Sequence, residues 1–185
     1  MIFQWTILLL ISPLMMPAMP AGRPPDPGEL VITEIMVDPH ATKDTYGEYL
    51  EVTNVSDDPV QLLGLIVRDH DRDWCPVTRP LLVPAGRAVV FARRWEPSAN
   101  GGFFPSYLCT GHALHLKNDR DSIVLDWYGV DIDEVTYRAR EWPLEPGKAM
   151  ELDRSCYDSA INDEPSAWAR SRTPMPSGDF GTPGK

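Results

Sequence analysis

Two glutamates in the segment GEYLEVTNVSD, residues 47–57, are the first side chains whose spacing suggests chemistry. Glu48 and Glu51 are three positions apart, and paired carboxylates can act as acid and base or hold a metal ion. Successive side chains of a β-strand alternate between its two faces, so residues three apart point to opposite faces. A reacting pair would therefore need a carboxylate from another strand, and Glu34 is a conceivable partner. The simpler interpretation makes both glutamates solvated strand residues.

A second acidic group lies in the segment DHDRDW. Asp69, Asp71 and Asp73 occupy alternate positions, as in the first half of an EF-hand loop. The sixth position is Trp74 instead of glycine and the twelfth is Pro80 instead of glutamate, so this is not an EF-hand. A looser calcium site at the three aspartates remains an alternative to a solvated acidic loop. No other cofactor is expected.

The chain contains three cysteines. In an oxidising compartment this number predicts one disulfide and one free thiol. Cys75 and Cys109 both lie at loop edges and are the favoured pair. Cys156 would then be free or would form a disulfide between two chains. Cys109 also opens the segment CTGHALH, where His112 and His115 have a spacing found in some zinc sites. Strand alternation turns these histidines to opposite faces, and no fourth ligand is evident.

The N-terminal residues 1–21 contain no charged side chain. Their apolar run is too short and too interrupted to span a membrane, and it ends near the small residue Ala21. This pattern predicts a signal peptide, with export to the periplasm or the extracellular space and no stable membrane insertion after cleavage. Residues 22–28, GRPPDPG, have the composition of a proline-rich linker.

The remaining chain has the pattern of short strands separated by turns. Its 19 prolines argue against a helical bundle. A net charge of −10 repels phosphate groups, so nucleic acid is not an expected partner. Strands at intervals of eight to twelve residues predict an all-β, immunoglobulin-like β-sandwich over residues 29–184. The predicted strands are 30–37, 48–54, 60–69, 87–94, 112–118, 122–128, 130–137 and 148–153. The region 60–69 holds either one strand or two short strands bent at Gly64.

Several short motifs occur in an order that resembles one known family. The first strand ends at Asp38 and Pro39, and a polar segment leads to the aliphatic-glycine turn at Gly64. Asn118 and Asp121 mark a later hairpin. The two longest motifs are Gly47, Glu48, Tyr49, Leu50, Glu51 and Val52 followed by Asn54, and the closing Gly181, Thr182, Pro183 and Gly184. Together they resemble the lamin tail domain family, especially its exported bacterial members, over residues 29–184.

The resemblance implies an immunoglobulin-like interaction module and no enzyme. The expected function is that of an exported binding or structural module of the cell envelope, with an unknown protein or envelope ligand as partner. One alternative is a calcium-dependent adhesion module. Another is an unrecognised secreted hydrolase that uses Glu34, Glu48 or Glu51. Hydrolase and phosphate-binding sequence signatures are absent.

Three tryptophans lie in loops beside charged residues. Trp74, Trp95 and Trp142 either form an exposed recognition surface or cover the ends of the sandwich.

Overall fold

The computed structural model describes residues 22–110 and 114–185, and these residues form two packed β-sheets. The strands are β1 Leu30–Met36, β2 Tyr49–Asn54, β3 Val60–Gln61, β4 Leu65–Arg68, β5 Trp74–Pro76, β6 Leu82–Val83, β7 Ala88–Ala92, β8 Tyr107–Leu108, β9 Arg120–Trp127, β10 Val130–Arg138, β11 Met150–Leu152 and β12 Trp168–Arg170. Two single-turn α-helices, α1 Asp44–Gly47 and α2 Pro97–Asn100, lie in the connections.

One sheet has the order β12-β11-β1-β2-β7-β8 and the other the order β10-β9-β4-β5. A short pair, β3-β6, lies apart from both sheets. Among the described strands, all pairs are antiparallel except β7 with β8, which is parallel. This arrangement is the predicted immunoglobulin-like β-sandwich.

The main core lies between the two sheets. Leu50, Val52 and Phe91 from the larger sheet pack in one cluster with Leu125 and Tyr137 from the smaller sheet. This confirms the predicted alternation of β2, in which Leu50 and Val52 share the core face. Burial of such large apolar side chains is the main source of stability for a domain of this kind.

A β-bulge in β1 changes which side chains share a face. The pairing of β1 with β2 shifts register between Ile32 and Glu34. Ile32 and Ile35 therefore both reach the main core, while Thr33 and Glu34 both lie on the opposite, outer face. A bulge inserts one extra residue, so simple alternation cannot predict this pair.

Residues 171–185, which we call the C-terminal strap, cover the outer face of the larger sheet. Within the strap, the Phe180 carbonyl accepts a 2.9 Å hydrogen bond from the Ala149 amide. Met175 packs in a second apolar cluster with Met36, Tyr49 and Val90. The core covers one face of β1 and β2 and the strap covers the other, and every residue of both strands is buried.

The edge strands β5 and β8 meet along one side of the sandwich. A disulfide joins Cys75 to Cys109, the pair favoured from the sequence, and Cys156 is a free thiol. The Tyr107 hydroxyl donates to the Pro76 carbonyl at 2.9 Å and accepts from the Thr78 amide at 2.9 Å. The two sheets are therefore fastened together at this seam both covalently and by hydrogen bonds.

The predicted linker over residues 22–28 is wrong, because these residues belong to the folded domain. The Arg23 carbonyl accepts from the Gln61 amide at 2.8 Å, and the Gly28 amide donates to the Ile132 carbonyl at 2.9 Å. Prolines remove backbone donors but keep their carbonyl acceptors, so a proline-rich segment can still attach to a sheet. The predicted signal peptide, residues 1–21, lies outside the described residues.

One further prediction needs correction. No strand occurs within residues 114–118 of the predicted strand 112–118, and Leu114 there has a φ of 57°. Residues 112 and 113 lie outside the described part. The region 60–69 contains two strands separated at Gly64, whose φ is 100°, as the bend at that glycine suggested.

The sequence did not indicate the short strands β5, β6, β8 and β12. Each contains only two or three residues. In the described parts of the chain, no helix has both the length and the apolar composition needed to cross a membrane.

Candidate functional site

Three glutamates from neighbouring strands form a row across the outer face of the larger sheet. Glu34 of β1 lies opposite Glu51 of β2 on one side and opposite Glu151 of β11 on the other. Glu48 lies on the other face, as the alternation rule predicted. The prediction of solvated strand residues is wrong, because Glu48 is 0% exposed and Glu51 is 4% exposed.

The strap supplies hydrogen bonds to this row. Glu34 accepts from the Tyr49 hydroxyl, from the Thr182 amide at 2.7 Å and from the Thr182 hydroxyl at 2.8 Å. Glu51 accepts from the Thr33 hydroxyl and from the Gly184 amide, each at 2.8 Å. Both carboxylates are thus engaged inside the protein and covered by its own C-terminus. The hydrogen bonds from Thr182 and Gly184 hold the strap against the outer face of the larger sheet.

Burial changes the protonation of these carboxyl groups. Burial raises the pKa of Glu34 to about 7, although its hydrogen bonds from Tyr49 and Thr182 act in the opposite direction. Burial also raises the pKa of Glu51. A carboxyl group with a raised folded-state pKa keeps a proton that the unfolded chain releases. Its contribution to stability is complete below the unfolded pKa and is lost as the pH rises through the folded pKa.

We expect Glu34→Gln to remove part of this pH dependence. The amide can donate to the Thr182 hydroxyl, which can still donate to Glu151 at 3.1 Å, so the network survives without a charge. From pH 5 to pH 8 the wild type should lose on the order of 2 kcal/mol more unfolding free energy than the variant. Urea unfolding at both pH values measures this, with Glu151→Gln as the control. An equal loss in wild type and Glu34→Gln would contradict the assignment.

Glu48 has a different environment on the core side. Its Oε1 accepts from the Leu116 amide at 3.3 Å, and its Oε2 lies 3.6 Å from Nη1 of Arg93. Burial raises the pKa of Glu48 to about 8 despite this arginine. The raised pKa favours the protonated form of this buried group, which lies just before β2.

The three aspartates of the acidic loop have separate partners. Asp69 Oδ1 accepts from the Asp71 and Asp73 amides at 2.9 Å each. Asp71 pairs with Lys117, and Asp73 accepts from the His115 amide at 3.0 Å. Across residues 22–110 and 114–185, no group of three His, Cys, Asp or Glu residues is placed to hold a metal ion. Calcium binding at Asp69, Asp71 and Asp73 stays a prediction from the sequence.

One candidate ligand of the zinc site considered at CTGHALH is excluded by the structure. Cys109 is oxidised in the disulfide with Cys75, and a thiolate is the form of cysteine that binds zinc. His112 lies outside the described residues.

The three loop tryptophans differ in exposure. Trp74 is 56% exposed and Trp95 is 48% exposed, and Trp95 contacts the exposed Phe104 with ring centroids 6.3 Å apart. Trp142 is only 5% exposed and packs against Trp168 with ring centroids 5.6 Å apart, so of the two predicted roles it has the covering one and not that of a recognition residue. It closes one end of the core instead.

Two adjoining depressions follow the seam at β8. One has a volume of about 290 Å³ and is lined by Trp74, Tyr107 and Thr110, among others. The other has a volume of about 380 Å³, and Thr110 lines it together with Arg94 and Tyr46. Arg79 lies over the Tyr107 ring at 5.1 Å. We call this continuous surface, defined by Tyr46, Trp74, Arg79, Arg94 and Thr110, the basic edge.

The fold and its sites define a class of protein: an immunoglobulin-like β-sandwich with internally satisfied carboxylates and an exposed aromatic surface. Residues 23–139 match the family described as Lamin Tail Domain. Because this match spans more than half of the chain, the protein belongs to the lamin tail domain family. No curated protein and no solved structure gave a significant match.

The matched residues include the motif around Glu48 and Glu51 and the hairpin residues Asn118 and Asp121. They end before the strap and its Gly181–Gly184 motif. The lamin tail domain family consists of immunoglobulin-like interaction domains and is not known for enzymatic activity.

Proposed function

We propose that this protein is an exported interaction module of the cell envelope, acting in the periplasm or outside the cell. The observation that carries the proposal is the Cys75–Cys109 disulfide within a lamin tail domain sandwich. Disulfides persist in oxidising compartments and are rare in the cytosol. The uncharged segment 1–21 supports the same compartment as a signal peptide.

Recognition is assigned to the end of the sandwich that carries the exposed aromatics. Trp74, Trp95 and Phe104 are each at least 48% exposed, and tryptophan is strongly enriched among the residues that dominate binding energy at interfaces. The carboxylates that a hydrolase would need are engaged in internal hydrogen bonds. Binding is therefore favoured over hydrolysis.

Site-specific photo-crosslinking in cells that make the full chain tests this proposal. A photoreactive residue replaces Trp95, and a matched one replaces Tyr128, which is 79% exposed in the turn after β9. We expect discrete crosslinked partners from position 95 and none from position 128. Crosslinking that is absent from both positions, or equal at both, would contradict a recognition role for this end.

A further inference from the structure

The arginines of the chain are unevenly distributed. Residues 74–110 contain four arginines, one glutamate, no lysine and no aspartate. Their net charge is +3, whereas the whole chain carries −10, so the rest of the chain carries −13. This segment contains β5 to β8. Two of its arginines, Arg79 and Arg94, lie on the basic edge, whereas Arg93 lies 3.6 Å from Glu48 and Arg87 precedes β7 at the other end of that strand. A local positive field of this kind attracts anionic partners to one side of an otherwise acidic protein.

Two of these arginines present their charge to solvent. Arg94 lies over the Tyr46 ring at 4.2 Å, and Arg79 lies over the Tyr107 ring while it donates to the Ser106 carbonyl at 3.2 Å. Within the described residues, none of the salt bridges with a nitrogen–oxygen distance of 4.0 Å or less involves Arg79 or Arg94. Stacking on a ring holds an arginine in place and leaves its edge donors available for a carboxylate.

The surface near the two arginines contains two depressions and is partly apolar. Trp74 projects from β5 immediately before the disulfide at Cys75, which places the indole on a fixed element. The two depressions share Thr110, so they adjoin one another at this residue. A rigid aromatic residue flanked by arginines is the composition found at the energetic centres of protein interfaces, where lysine is depleted.

We infer that the basic edge binds a short acidic segment of a partner protein, whose carboxylates pair with Arg79 and Arg94 while an apolar side chain contacts Trp74. This inference rests on the proposed function and names the chemistry of the partner. The basic edge consists of two adjoining depressions, which favours a short segment as the ligand. A long polyanion, such as an acidic polysaccharide, would continue onto the surface that carries the net charge of −13.

Binding of a labelled peptide measures this directly. The probe is a fluorescein-labelled peptide of alternating glutamate and leucine, and fluorescence anisotropy is recorded with the full protein at low and high salt. Arg94→Glu and Arg79→Glu should each weaken binding about tenfold or more, since each reverses a charge that faces the ligand. The matched control is Arg87→Glu, which makes the same charge change in an exposed residue preceding β7, at the other end of that strand.

We expect Arg87→Glu to change the affinity less than about twofold, and high salt to weaken binding of the wild type. Equal losses in Arg87→Glu and Arg94→Glu would overturn the inference, because net charge alone would then explain binding. Failure of the wild type to bind the peptide, or tighter binding of an oligogalacturonate, would also overturn it. Crosslinked partners at position 95 without peptide binding would remove only this inference and leave the proposed function intact.

Discussion

Replacing Cys75 and Cys109 together by alanine should lower the free energy of unfolding by roughly 4 kcal/mol, the loop-closure value for this span. The two residues are 34 positions apart in sequence, and the disulfide restricts the unfolded chain over that whole loop. For a domain of this size the loss corresponds to a fall in melting temperature of roughly 10 °C. The double substitution also removes the covalent link between β5 and β8, but the hydrogen bonds of Tyr107 still join the two strands.

Calorimetry of the double variant against wild type gives this difference. Cys156→Ser is the matched control, because Cys156 is a free thiol and its loss breaks no covalent bond. A double variant as stable as Cys156→Ser would show that the disulfide does not constrain the domain.

Changing Gly181 to valine should destabilise the fold by roughly 3 kcal/mol, in the range for overpacking a buried site. A Cβ at this position would overlap the Tyr49 hydroxyl and lie 2.9 Å from Oε1 of Glu34. The side chain would push the strap away from the glutamate row, so the hydrogen bonds from Thr182 and Gly184 would be lost. Glu34 and Glu51 would keep their hydrogen bonds from Tyr49 and Thr33 but lose those from the strap, which adds to the cost.

Chemical unfolding checks this value, and Gly178→Val provides the control. Gly178 has a φ of 103°, and a Cβ at this residue would meet no described atom within 4 Å, so that variant reports backbone strain without crowding. The crowding at Gly181 predicts a clearly larger loss there. Equal losses at the two glycines would contradict the close contact between strap and glutamate row.

The sequence predicted most of the longer strands but not the strap that covers the larger sheet. Alternation along β2 correctly assigned Leu50 and Val52 to the core, and Gly64 correctly divided two strands. The strands of two or three residues escaped prediction because so few positions carry no readable period. Their existence depends on tertiary pairing, such as the disulfide that fastens the β5–β8 seam.

The state of the glutamates was mispredicted for two physical reasons. The bulge in β1 places Glu34 beside Glu51, which alternation alone cannot show. The strap then buries an outer face that the sequence pattern assigns to solvent. The hydrogen-bond donors of the strap are 148 and 133 positions away in sequence from the glutamates that accept from them. Such long-range coverage leaves no local signal. The basic edge, by contrast, left a local signal in the sequence. Arg94 belongs to the cluster Arg93, Arg94 and Trp95, which lies in a segment, residues 74–110, with a single acidic residue.

Intact mass spectrometry of the protein recovered from cells that express the full chain tests export most directly. The expected product begins at Gly22, is lighter by two hydrogen atoms because of the Cys75–Cys109 disulfide, and has one alkylatable thiol at Cys156. It should be found outside the cytoplasm. A product that keeps residues 1–21, stays in the cytoplasm and has three alkylatable thiols would contradict an exported interaction module.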